Sequence, residues 1–200
     1  MSIKAIYFDL GGVILRTEDK SSRTNLAAEF GMNYDEIDRF VFECKTAALA
    51  SIGKMTEEEH WLDVTRRLNL PETAMPRIRD SFFGGDRIDQ DIVNLLRSLR
   101  NTHKTGLISN AWNGLRAWII DQKFADVFET MIISAELGIA KPDARIYQFA
   151  LEQLDVEAGQ AIFVDDVEKN IAASKSLGMH GVLFRTSQQA RAEIDQLLKM

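Results

Sequence analysis

The sequence has 200 residues, a formal net charge of −6 and 46% hydrophobic residues, a composition that fits one or two folded domains and excludes intrinsic disorder. Only 12 glycines and 3 prolines are present, and this shortage of turn-forming residues argues against a turn-rich all-β sandwich. The acidic balance, with no basic run longer than Arg66-Arg67, argues against a nucleic-acid partner.

The cysteine content and the start of the chain suggest a compartment. One cysteine, Cys44, cannot form an internal disulfide, which is typical of a reducing environment. Met1 is followed almost directly by a strand-like segment, which leaves no room for a signal peptide. No apolar stretch approaches the roughly 18 residues of a membrane span. We therefore expect a cytoplasmic protein without a membrane or nucleic-acid partner.

Short apolar runs alternate with helical patterns along most of the chain. Runs that are apolar on both faces are typical of parallel strands covered by helices. Apolar stripes of period 3.6 between the runs indicate the covering helices. The pattern predicts an α/β fold whose centre is a doubly wound parallel sheet, or Rossmann-like core. The predicted strands cover residues 3–8, 105–109, 130–134, 161–164 and 181–184.

One long region, residues 21–83, shows only helical patterns. It includes a predicted helix through 37–48, with Cys44 on its apolar face, and a capped helix that begins after Thr56. We interpret residues 18–83 as an all-α cap inserted into a core made of residues 1–17 and 84–200. The paired glycines Gly84-Gly85 are a candidate hinge, although such pairs also occur in plain loops.

Polar residues follow four of the predicted core segments. They are Asp9, Ser109-Asn110, Lys141 and Asp165-Asp166. Each one alone is more typical of a helix cap, a turn or a solvated loop. Together they are expected to meet at one edge, because ligands of an open parallel sheet bind beyond the carboxyl ends of the strands.

The residue types of this group suit a phosphate ester and a hard cation. Carboxylates brought within about 4 Å of each other repel strongly, so either their pKa values rise or a divalent cation lies among them. Mg²⁺ prefers such oxygen ligands. Lys141, Ser109 and the amide of Asn110 have the donors that phosphate oxygens need. Asp9 would then attack phosphorus as a carboxylate nucleophile, and water would hydrolyse the aspartyl-phosphate.

Four short motifs in this order resemble those of the haloacid dehalogenase superfamily. They are Asp9-Leu10-Gly11-Gly12-Val13, Ile108-Ser109-Asn110, Lys141-Pro142-Asp143 and Phe163-Val164-Asp165-Asp166. The helical insertion after the first motif resembles a C1-type cap. Residues 137–147 are similar to the branch that holds bacterial α-glucose-1-phosphate phosphatases and the phosphatase domain of epoxide hydrolases.

The resemblance implies a role for each motif residue. Asp9 would be the nucleophile and a Mg²⁺ ligand, together with the main-chain carbonyl of Gly11. Asp165 would complete the metal site, with Asp166 bound to the ion directly or through water. The transferring phosphoryl group would be held by Ser109, Asn110 and Lys141. The expected activity is the hydrolysis of a small phosphorylated metabolite, which includes sugar phosphates.

One position departs from the family pattern. Most phosphatases of the superfamily carry, two residues after the nucleophile, an Asp that protonates the leaving group, and this chain has Gly11 there. General acid–base catalysis typically contributes 10²–10⁴-fold. The loss is smaller for a leaving group that departs without a proton. A replacement acid from Glu18 or Asp19 at the cap junction is the alternative.

Two other functions stay open. A 2-haloacid dehalogenase also lacks the second Asp and needs no metal, but the adjacent carboxylates Asp165-Asp166 and the glycine at position 11 disagree with it. A catalytically silent binding protein of the same fold is favoured only by Gly11. For the substrate pocket, the candidates are Tyr34, Phe82-Phe83, Trp112 and Asn113; core packing is an equally ordinary role for their aromatic side chains.

Overall fold

The computed structural model describes residues 2–199. Seven strands follow each other along the chain: β1 (Ala5–Phe8), β2 (Leu15–Thr17), β3 (Asp86–Ile88), β4 (Lys104–Ser109), β5 (Thr130–Ile133), β6 (Ala161–Asp165) and β7 (His180–Leu183). The α-helices are α1 (Ser21–Glu29), α2 (Tyr34–Phe42), α3 (Lys45–Ser51), α4 (Glu57–Arg67), α5 (Met75–Phe83), α6 (Gln90–Leu99), α7 (Leu115–Asp121), α8 (Ser134–Leu137), α9 (Ala144–Gln153), α10 (Glu168–Ser176) and α11 (Ser187–Leu197).

Five strands form one parallel sheet in the order β5-β4-β1-β6-β7. All four residues of β1 are fully buried, since the strand has neighbours on both sides and helices above and below. The chain adds β4 and β5 on one side of β1 and then crosses to add β6 and β7 on the other. This reversal confirms the doubly wound fold and opens a crevice at the carboxyl end of β1.

The two faces of the sheet pack against different helices. Apolar side chains of α6, α7 and α11 cover one face, and those of α9 and α10 cover the other. All five predicted strands are present, and their bounds shift by one or two residues. Burial on both faces explains why these strands read as continuous apolar runs.

The region predicted as helical contains α1 to α5, which we call the cap helices. Their apolar sides enclose a separate cluster built around Trp61 and Phe82. The expected helix through 37–48 is wrong, because the chain breaks between α2 and α3. Cys44 is the extended N-cap residue of α3 and only half buried, and its thiol lies near the carbonyl of Val41 and the hydroxyl of Thr46.

A short antiparallel pair, β2 and β3, carries the chain into the cap helices and back out. This pair is not among the strands predicted from the sequence. At Gly85 an added Cβ would overlap the backbone carbonyl of Asp19, so only glycine lets the two connections lie this close. The cap boundaries at 18 and 83 and the hinge at Gly84-Gly85 stay predictions.

None of the helices within residues 2–199 has the length and apolar character needed to cross a bilayer.

Candidate active site

Asp9 lies directly after β1, at the crevice where the strand order reverses. Its side chain is 11% exposed. Its Oδ1 atom accepts a hydrogen bond from the amide of Leu10 at 2.7 Å and lies 2.9 Å from Nζ of Lys141. The carboxylate is therefore fixed from two sides at the end of the central strand.

Lys141 joins two carboxylates at the bottom of the crevice. Its ammonium group donates to Oδ2 of Asp165 at 2.7 Å as well as contacting Asp9, and its side chain is almost fully buried. The Asn110 amide side chain holds the backbone of Lys141: Nδ2 donates to the Lys141 carbonyl at 2.9 Å, and Oδ1 accepts from its amide at 2.7 Å. The loop that carries the lysine is thus tied to the end of β4.

Asp165 is held by more bonds than Asp9. Besides Lys141, it accepts from the amide of Val167 at 2.8 Å, and Nδ2 of Asn170 lies 3.1 Å from both of its oxygens. Asn170 is buried in the first turns of α10 and was not among the predicted site residues. The available signal was an asparagine on the inward side of a helix that follows the acidic pair. Its role is to orient Asp165 toward Lys141.

Asp166 is half buried and lies over Gly12. A Cβ at Gly12 would overlap the Asp166 carboxylate, and the residue has a φ of +74°, which favours glycine. At Gly11 an added Cβ would meet nothing within 4 Å. The two adjacent glycines therefore differ: Gly12 is required by the approach of Asp166, whereas Gly11 has open space at its Cβ position.

Carboxylate oxygens of Asp9, Asp165 and Asp166 lie within 4.8 Å of one another. We call these residues and Lys141 the carboxylate site. Burial raises the pKa of Asp9 to about 7, with Lys141 opposing and Asp165 adding to the shift. The pKa of Asp166 is also raised, first by burial and then by Asp165. One lysine leaves this group of hard oxygen donors with excess negative charge, so the donor set fits Mg²⁺.

The other predicted residues are distributed around this site. Ser109 is buried at the end of β4, and the exposed Asn110 follows it. Glu18 points to solvent, with its side chain 54% exposed and 3.8 Å from Arg16. Asp19 accepts from the amide of Ser21. In this arrangement neither junction acid is part of the carboxylate site.

A cavity of about 660 Å³ lies between the cap helices and the sheet and reaches Asn110. Of the predicted pocket residues, Trp112 and Phe83 line it. Phe82 is fully buried inside the cap helices, and the hydroxyl of Tyr34 accepts from Arg23. Asn113 accepts a hydrogen bond from the amide of Glu57, which ties α4 to the loop after β4. We call this space the cap–core cavity.

Comparison with known proteins identifies the family. The family described as haloacid dehalogenase-like hydrolases matches residues 3–178. The chain belongs to this family. The motif residues that carried the resemblance all lie within the matched range, so this part of the sequence analysis is confirmed.

Two relatives cover nearly the whole chain. The sesquiterpene phosphatase astK of Aspergillus oryzae is 25% identical over 98% of this chain and 97% of its own length. The D-ribitol-5-phosphate phosphatase of Bacteroides thetaiotaomicron is 24% identical over 98% of both. Among solved structures, a family enzyme from Bacteroides thetaiotaomicron in complex with magnesium and inorganic phosphate has a TM-score of 0.75 and 22% identity, over 92% of this chain and 95% of that one. The relatives are consistent with a phosphoric monoester hydrolase.

Proposed function

We propose that this protein is a Mg²⁺-dependent phosphatase that hydrolyses a small phosphorylated metabolite through an aspartyl-phosphate on Asp9. The observation that carries the proposal is the buried Lys141 between Asp9 and Asp165, with Asp166 beside them. The fold relative solved with magnesium and phosphate and the two phosphatase relatives support the same chemistry.

The metal would be held by carboxylate oxygens of Asp9 and Asp166 and by the Gly11 carbonyl, with Asp165 beside them. Both Asp165 oxygens already accept hydrogen bonds from Lys141 or Asn170, which favours Asp166 as the direct ligand and Asp165 as the group that fixes the lysine. A bound Mg²⁺ would neutralise the negative charge that gathers when phosphate enters. It would also keep Asp9 ionised, despite the burial that raises its pKa.

The chain's own residues would carry out two displacements. Oδ1 of Asp9 accepts both of the bonds described above, so Oδ2 is the oxygen that we assign to attack on phosphorus. The P–O bond to the leaving group breaks, and its electron pair leaves with the alcohol oxygen. Water then attacks the phosphorus of the aspartyl-phosphate, which releases phosphate and restores the Asp9 carboxylate. Lys141, with Ser109 and the backbone amide of Asn110, would hold the phosphoryl oxygens.

Gly11 leaves the departing oxygen without the acid that the family usually provides. Substrates whose leaving group departs without a proton, such as aryl, acyl or anomeric phosphates, are therefore favoured over simple alkyl phosphates. Glu18 is the alternative acid only if cap closure turns its exposed side chain inward.

The 2-haloacid dehalogenase is the competing activity, and metal dependence separates the two. A catalytically silent binding protein is the third hypothesis, and it predicts no turnover at all. The crowded carboxylates favour the phosphatase, because a metal-free attack on carbon gains nothing from three carboxylates in a buried site.

The test is a phosphate-release assay with aryl phosphate, with and without Mg²⁺. We expect hydrolysis that requires Mg²⁺ and stops with a chelator. In Asp9→Asn, we expect the rate of hydrolysis to fall on the order of 10⁵-fold. The matched control, Asp91→Asn, changes an acid in the first turn of α6 that is not part of the carboxylate site. Phosphate release that persists in the chelator would contradict the Mg²⁺ requirement, and halide release from a 2-haloacid without phosphatase activity would favour the dehalogenase.

A further inference from the structure

The walls of the cap–core cavity are mainly apolar, and their chemistry determines which organic groups can bind there. Apolar side chains form most of the lining on both sides. The cap helices contribute Phe42 and Phe83, and the sheet side contributes Trp112, Leu115 and Trp118. The two sides meet at Phe42 and Trp112, whose ring centroids are 5.7 Å apart.

Phe42 is unusual because its side chain is exposed where an aromatic ring is normally buried. Among the large hydrophobic residues within 2–199, only Phe42 and Ile120 are classed as exposed, at 44% and 57%. Ile120 lies on α7 outside the cavity lining, whereas the ring of Phe42 lies in it. Exposed apolar surface in a concave site beside polar groups is typical of a ligand pocket.

Trp112 is held in place from behind. Its ring centroid lies 4.5 Å from that of His60 and 6.0 Å from that of Trp61, both fully buried in the cap helices. A fixed aromatic surface binds an apolar group without losing much side-chain entropy on binding. The wall is therefore already formed before a ligand arrives.

Several polar side chains of the lining have partners within the protein. Asp86 accepts from Thr17 at 2.6 Å and from Arg23 at 3.3 Å. Arg79 and Asp80 pair with each other at 3.3 Å and are exposed.

The side-chain amide of Asn110 is bound to the backbone of Lys141, as described above. For the hydroxyl groups of a ligand, the lining leaves Ser51, Glu57, the second oxygen of Asp86 and the exposed Arg79 and Asp80. The apolar walls offer no partner to a hydroxyl group. Each buried hydroxyl without a partner weakens binding by roughly ten-fold or more, so a polyhydroxylated sugar fits poorly against these walls.

We propose that the cap–core cavity selects phosphate monoesters with a large apolar organic group, which packs against the surface that Phe42 and Trp112 form together, while the phosphate lies at the carboxylate site beyond Asn110. This inference rests on the proposed phosphatase function and narrows its substrate class. The volume of about 660 Å³ exceeds the needs of a small polar metabolite such as a triose phosphate.

The experiment is a chain-length series measured with Mg²⁺: butyl, hexyl and octyl phosphate, with glucose 6-phosphate as the polar comparison. All four have primary alcohol leaving groups, so the missing acid at Gly11 affects them alike. A fully buried methylene improves kcat/KM by about four-fold. We expect kcat/KM to rise two- to four-fold per methylene and octyl phosphate to exceed glucose 6-phosphate by about 100-fold.

Two exposed hydrophobic residues provide a matched pair of variants. Phe42→Ala removes part of the apolar lining, and we expect the increase in kcat/KM per methylene to fall below two-fold. Ile120→Ala removes a similar exposed apolar group outside the lining, and we expect the wild-type series. A flat series in the wild-type protein, or a preference for glucose 6-phosphate, would overturn the inference; equal series in both variants would do so as well.

A binding titration separates this inference from the proposed function. Tryptophan fluorescence reports on the cavity, because Trp112 and Trp118 line it. Butyl, hexyl and octyl phosphonate, which carry no hydrolysable ester, should bind with a Kd that decreases along the series. If no phosphate ester is turned over but this series holds, the catalytic proposal fails and the apolar site stands. If Kd does not depend on chain length, the apolar site is wrong whatever the enzyme hydrolyses.

Discussion

The carboxylate site and the cap–core cavity differ in what their side chains leave available for a ligand. At the carboxylate site, buried charged groups are joined to each other and to backbone amides by bonds of 2.7 to 2.9 Å. In the cavity, aromatic rings form much of the surface, and Phe42 is 44% exposed. The first region presents fixed charged groups to a ligand, and the second presents apolar surface.

This difference follows from the elements that build the two regions. The carboxylate site is made by strand ends and short loops of one sheet, where hydrogen bonds fix positions closely enough for chemistry. The cavity is made where two separately packed apolar clusters face each other, so its shape depends on how the cap helices dock. Chemistry and specificity can therefore be altered separately, and the variants below test that separation in order of expected effect.

Lys141→Met should have the largest effect of these, because it removes the cation that holds Asp9 and Asp165 together. We expect kcat to fall by at least 10³-fold. Breaking a buried ion pair also destabilises a protein, typically by about 3–5 kcal/mol. Phosphate release and urea unfolding measure the two effects.

Lys104→Met is the control for that variant. The ammonium group of Lys104 is also partly buried, but it donates to the carbonyl of Leu154 and not to a carboxylate. We expect it to lose about 1 kcal/mol of stability and to retain activity. If Lys141→Met stays within ten-fold of the wild-type rate, the carboxylate site does not work as described.

Gly11→Asp should have the next largest effect, and in the direction of gain. A Cβ added at this position meets no atom within 4 Å, and an Asp there would provide the acid that most phosphatases of the family carry. We expect hydrolysis of alkyl phosphates to increase by about 10²-fold while aryl phosphates change little. Rates for substrates of graded leaving-group pKa provide the measurement.

Gly11→Asn is the isosteric control, since it fills the same space but has no acidic proton to transfer to the leaving group, and it should show no gain. In the wild-type protein, rates should depend steeply on leaving-group pKa. Equal wild-type rates on aryl and alkyl phosphates would mean that another acid acts. Glu18→Gln then tests the junction residue, and it should restore the steep dependence only if Glu18 is that acid.

The smallest effect concerns the support of the aromatic wall. His60 lies behind Trp112, and burial lowers its pKa to about 4. The unfolded chain takes up this proton below the ordinary histidine pKa of about 6.5, whereas the folded protein does not. The stability due to neutral His60 is complete above pH 6.5 and is lost as the pH falls toward 4.

At pH 5 this loss should be about 2 kcal/mol in urea unfolding compared with pH 7. His60→Phe cannot titrate, so the pH-dependent part of the loss should shrink by that amount. His103→Phe changes a histidine in the turn before β4, bonded to its neighbour Thr102, and should keep the wild-type dependence. Equal pH dependence in wild type and His60→Phe would show that His60 is not the group involved.

The sequence by itself was sufficient for the fold class and for the positions of the candidate site. Continuous apolar runs mark buried parallel strands, and the carboxyl ends of such strands meet at one edge. Asp9, Ser109 and Asp165 could therefore be placed near each other although they are far apart in the chain. The family resemblance added the roles of these residues, which remain proposals.

Other features depended on packing between distant segments. β2 and β3 are three residues each, which is too short for a periodic pattern. The break at Cys44 lies inside a stretch whose apolar spacing is helical on both sides.

The role of Asn170 and the binding of the Asn110 amide to the Lys141 backbone required knowing which loops touch. The requirement for glycine at position 12 and the open space at the Cβ position of Gly11 also depend on which loops lie next to each other. Local periodicity records which face of an element is buried, and only the tertiary structure decides which side chains of different elements meet.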